Sequence, residues 1–175
     1  MNEKQFWQHI EESANSDDFF ESLKTKLCSQ GLAEITSFEN HLLSKLVEAY
    51  KFPLLSANFV ISSYVSDEGF KDFRAWLISQ GETKFNDALN NPESIVNWLS
   101  KEDIELIDGE ELIIAAEESY LELGGDEEDF FNSLNYPKEP DIEMNWPENK
   151  EEFEKFYPLL VRKFWDQEKI EEMHS

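Results

Sequence analysis

Apolar side chains recur every three or four residues along almost the whole chain, the spacing that lines up one face of an α-helix. Phe6, Trp7 and Ile10 share a face at i, i+1, i+4 and predict a first helix from Glu3 to about Ala14. Asn15-Ser16-Asp17-Asp18 is a start signal, because short polar side chains accept hydrogen bonds from the free amides of a first turn. A second helix then carries Phe19, Phe20, Leu23 and Leu27 to a stop at Gly31, and a third runs from Leu32 to Lys51 with Ile35, Phe38, Leu42, Leu46 and Tyr50.

Pro53 suits the first turn of a fourth helix, where its missing amide costs nothing. Residues 54–65 are apolar on most sides and also read as a buried strand. A helix is preferred, because one strand among helices has no sheet to join. Ser66 caps a fifth helix, with Asp67 and Glu68 favoured at its positive end. Phe70, Phe73, Trp76 and Leu77 form its inner stripe and Gly81 its left-handed stop.

A short helix follows around Phe85 and Leu89. Asn91-Pro92 opens another with Ile95, Trp98 and Leu99. Asp108 and Glu111 stand at capping-box spacing before a helix that stops at Gly124-Gly125. Residues 126–149, with Pro137, Pro140 and Pro147, read as an irregular acidic loop containing one helical turn at Phe130-Phe131. Glu151 to about Glu172 is a last helix that Pro158 kinks or splits. The expectation is a single all-α domain over residues 1–175, of seven to nine helices and no significant sheet.

Composition sharpens this picture. The 14 Phe, 5 Trp and 5 Tyr of this 175-residue chain fill a substantial core and argue against disorder. Six glycines and six prolines are too few for a sandwich or barrel. Charge is uneven: residues 1–100 carry 8 basic and 15 acidic side chains, residues 101–156 carry 4 and 20, and residues 157–175 carry 3 and 4. A net charge of −24 repels phosphate backbones and anionic membranes, so direct nucleic-acid or membrane binding is disfavoured and a basic protein partner is favoured. Self-association is a further route by which such a domain acts, and light scattering decides it. One cysteine, Cys28, excludes an internal disulfide and reads as a buried structural thiol. The polar start of the chain and the absence of a spanning apolar run point to the cytoplasm.

Sites with recognisable spacing are scarce. No phosphate-binding glycine loop, nucleophile elbow or calcium loop is present. Among the histidines, His41 diverges from Glu39 at i+2, His9 has no HxxxH partner, and His174 is near the terminus. No metal, cofactor or catalytic residue is predicted. The candidate ligand-binding residues are Asp67, Asp72, Arg74 and Trp76. Arg74, the single arginine before residue 162, suits a carboxylate or phosphate ligand, or pins two helices through a partly buried ion pair with an acid on a neighbouring helix.

The run Ser66–Gly81, with Asp72-Phe73-Arg74-Ala75-Trp76-Leu77-Ile78 at its centre, resembles an uncharacterised bacterial domain-of-unknown-function family. The resemblance extends to Phe6-Trp7, Phe38-Glu39, Phe85 to Leu89, Asn91-Pro92-Glu93-Ser94, Glu118-Ser119-Tyr120 and Tyr157-Pro158-Leu159-Leu160. It implies a small bacterial, mostly helical domain and carries no established activity, cofactor or site residue. The functional expectation is a non-enzymatic acidic protein acting by protein–protein interaction. The alternative is a small-ligand-binding or hydrolytic enzyme with a site around Arg74, Asp67 and Asp72.

Overall fold

Helices begin where the sequence supplies an amide acceptor. The computed structural model describes residues 1–173. In it the side chains of Asn2, Asp18, Ser66, Asp126 and Asn149 each accept the amide three residues on. They open α1 (Glu3–Ala14), α2 (Phe19–Gln30), α5 (Asp67–Ser79), α8 (Glu127–Asn132) and α9 (Lys150–Phe156). Each such cap contributes about 1 kcal/mol. Between them lie α3 (Leu32–Glu48), α4 (Phe52–Ser62), α6 (Glu82–Asn90) and α7 (Glu110–Glu122), and the chain continues through α10 (Pro158–Phe164) and α11 (Gln167–Met173). No strand occurs among the described residues, as the periodicity predicts. His174 lies outside them.

The apolar run after Pro53 is helical, with proline in the first turn of α4. Several other boundaries differ from expectation for physical reasons. Pro158 does split the last helix, and a further break before Gln167 makes three short helices, which brings the α-helices to eleven among the described residues. Asn91-Pro92 opens a 3-10 turn (Pro92–Asn97), not an α-helix. Its Pro92 and Ile95 are buried, and Glu93 Oε1 accepts the amides of Leu159 and Leu160 at 2.6 and 3.1 Å. The carboxylate thus caps α10 across the fold. Gly81 does follow α5 with positive φ, but at φ 94 and ψ 166 it is a junction into α6, not an αL cap.

The α7 start is not a capping box. Asp108 Oδ1 accepts the Glu110 amide at 2.8 Å, and Gly109 is the N-cap. A Cβ at Gly109 would lie 2.3 Å from the Asp72 carbonyl oxygen and 2.6 Å from the Ala75 Cβ, so the start of α7 rests directly on the α5 backbone. Gly109→Ala is expected to cost about 1–3 kcal/mol by overpacking, read as a lower midpoint in urea unfolding; an unchanged midpoint would show that α7 backs away freely. The α7 end does follow the glycine expectation. Gly125 N donates to the Tyr120 carbonyl and Gly124 N to that of Leu121, a paired Schellman stop with Gly124 at φ 79.

The core centres on Phe6, Phe38, Phe70, Phe73, Phe85 and Phe130, all essentially without solvent contact. Helix α7 packs against α2, α3 and α5. Helix α4, apolar nearly all round, is covered by α10. On α4, Phe59 meets Phe153 at 5.3 Å, Trp146 at 5.9 Å and Trp165 at 6.2 Å, rings that all come from the last third of the chain.

Candidate functional site

Helix α5 holds all four candidate residues, and its 100° step sends them to different places. Asp67 is exposed in the first turn. Asp72 is half-buried beside Asp108. Burial first, then the Asp108 carboxylate, push the Asp72 carboxyl above its usual range, and Lys71 only partly offsets them. Trp76, 7% exposed, tilts against Phe73 and Trp98, each 5.5 Å away between ring centres.

Arg74 turns the opposite way, into the core, where it is 4% exposed. Nη1 donates to the Leu46 carbonyl at 2.7 Å and to Glu139 Oε1 at 3.2 Å, while Nε donates to the Phe70 carbonyl at 3.2 Å. The guanidinium lies 4.8 Å from the ring centres of both Tyr50 and Phe70. Burial lowers its pKa, and Glu139 opposes that shift. Arginine remains charged regardless. The acid it meets is therefore neither Asp67 nor Asp72, and it belongs to the extended segment before α9, not to a neighbouring helix. Asn135 in the same segment donates its amide to Asn40 Oδ1 at 2.7 Å.

Asp72 and Trp76 border two adjoining clefts that share Asp108. One, of about 720 Å³, has Trp76 and Trp98 in its wall and Glu11, Asp103, Asp108 and Glu111 around it. The other, of about 650 Å³, is edged by Glu68, Asp72, Glu105, Asp108 and Glu110 with Lys71. The residues missing from the sequence-based candidates are thus Trp98, Asp103 and Glu111. The acid density over Asp103–Glu111 was their visible signal; its convergence on α5 was not.

A second unusual carboxyl sits on α3. Glu39 is 8% exposed and its Oε2 is buried without a hydrogen-bond partner. Burial pushes its pKa up to about 8; Lys71 pulls against this and Glu117 adds to it. Cys28 is only half-buried, its thiol 3.7 Å from the Ser119 carbonyl oxygen, so it sits at the edge of the core. His9 is held toward neutrality by burial, and His41 Nε2 lies 3.2 Å from the Met1 carbonyl oxygen. Among the described residues no group of three or more His, Cys, Asp or Glu side chains is placed to hold a metal ion, and no helix is long and apolar enough to cross a membrane.

Together these features define an all-helical protein with an arginine-tied core and an acid-edged aromatic groove. Within that class the chain belongs to a family described as "Protein of unknown function (DUF4240)", whose model matches residues 1–122. The match takes in α5 whole and ends with the last residue of α7. No curated protein and no solved structure matches the chain.

Proposed function

We propose that the chain is a small acidic bacterial protein of the cytoplasm that acts without catalysis, as one helical domain, by offering an acidic surface to a basic protein partner. The observation that carries this reading is the coincidence of charge and exposed apolar side chains. Residues 101–156 hold 20 acids against 4 bases. Eight of the twelve large apolar side chains exposed among the described residues fall between Leu121 and Leu159, including Phe131, Tyr136, Trp146 and Phe156. Apolar anchors inside a charged surround are the anatomy of a protein interface, and the charge steers association.

A ligand-binding or hydrolytic site around Arg74, Asp67 and Asp72 has less in its favour. The Arg74 donors go to two carbonyls and Glu139, and Asp67 stands exposed at the far end of the helix. The test is a pull-down from bacterial lysate at low and high salt. A partner retained at low salt and lost at high salt is expected; retention of nothing salt-sensitive would remove the proposal.

A further inference from the structure

We infer that the groove between α5 and the Trp98 segment is the anchor point for a lysine or arginine side chain of the basic partner, seated on the Trp76–Trp98 pair. This rests on the partner reading above and gives it a location. Lys84 Nζ lies 4.8 Å from the Trp98 ring centre, so this indole face already accommodates an ammonium. Lys84 is the one cation among the groove's lining residues, against Glu11, Asp103, Asp108 and Glu111. Within the described residues, none of those four carboxylates forms an ion pair.

The existing hydrogen bonds leave charge to spare. Asp103 accepts from the Ser100 hydroxyl and Asp108 from the Glu110 amide, while Glu11 Oε1 accepts the Glu82 amide at the start of α6. Each keeps a net negative charge facing a cleft of about 720 Å³. Mutual repulsion is felt at Asp72, whose proton is held partly by Asp108 next door. An incoming cation gains the quadrupole of two indoles and the field of these acids together, and relieves their repulsion. A guanidinium or ammonium on a protein segment also lets the adjoining acidic cleft at Glu105 and Glu110 receive a second basic residue.

The probe is a hexaarginine peptide, titrated calorimetrically at low salt into the whole protein. Wild type is compared with an Asp103→Asn/Asp108→Asn/Glu111→Gln variant, and with a Glu143→Gln/Glu148→Gln/Glu154→Gln control that removes the same charge elsewhere. The amide replacements keep the local acceptors, and circular dichroism verifies that each variant is folded. The groove variant is expected to lose about tenfold in affinity and the control less than about twofold, with Trp98→Leu losing about fivefold. Equal weakening by groove and control variants would mean diffuse attraction: the basic-partner reading survives and the groove falls. No binding by wild type would overturn both. Tetramethylammonium is run in parallel, and binding as tight as the peptide's would make this a small-cation site and overturn the docking role.

Discussion

Glu39→Gln is expected to remove most of a stability loss that the wild-type protein shows as pH rises from about 4.5 to 8. The carboxyl has an ordinary value of 4.5 and is pushed to about 8 in the folded chain, chiefly by burial. Below 4.5 both folded and unfolded states hold the proton, and no penalty arises. Between the two values the unfolded chain releases it while the folded chain keeps it. The folded state then binds more protons, so stability falls with rising pH until the native pKa is passed.

The penalty at pH 8 is on the order of several kcal/mol, large against the roughly 5–15 kcal/mol of a typical domain. The nearby charges do not reverse it. Lys71 on α5 favours the anion, but Glu117 on α7 opposes it and burial outweighs both. Asp72 and Glu117 are raised as well, so the variant keeps a shallow slope of the same sign. Urea unfolding at pH 4.5, 6 and 8 reads this directly, with the curves of wild type and variant separating most at pH 8. A variant as pH-sensitive as wild type would show that Glu39 reaches water or a partner in the folded state.

Arg74→Ala is expected to destabilise the protein by about 3 kcal/mol, through an unpaired Leu46 carbonyl and the cavity left by the side chain. For a chain of this length that lowers the melting temperature by about 6–12 °C. Arg74→Lys recovers only part of the loss, because an ammonium cannot donate to Leu46, Phe70 and Glu139 in the guanidinium's planar arrangement. Glu139→Gln costs less than about 1 kcal/mol, since the carboxylate is half-exposed and solvent replaces the ion pair. Thermal melts followed by circular dichroism rank the three. An Arg74→Ala protein that melts like wild type yet loses a bound small molecule would transfer Arg74 from scaffold to site.

The difference between these two residues and the helix boundaries explains what was readable in advance. Caps at Ser66 and Asp18, the proline start of α4 and the glycine pair after α7 act over about four residues, so their spacing in the chain is already their geometry. The inner faces of α1, α3 and α5 follow from periodicity for the same reason. Even there, the Asp108–Glu111 pair misled: its local spacing suits a capping box, but the contact of Gly109 with the α5 backbone decides where α7 begins.

By itself, the sequence determined an all-helical chain, its aromatic core stripes, its acidity and its family. Only tertiary structure decided that Arg74 meets a glutamate 65 residues away, that Glu93 caps a helix 66 residues on, and that Glu39 is buried without a partner. It also brought Trp98 and three distant acids to the Trp76 side of α5. The reason is physical. Helix grammar is set by neighbours in the chain, whereas burial, ion pairing and the field at a carboxyl depend on segments that no spacing connects until the helices pack.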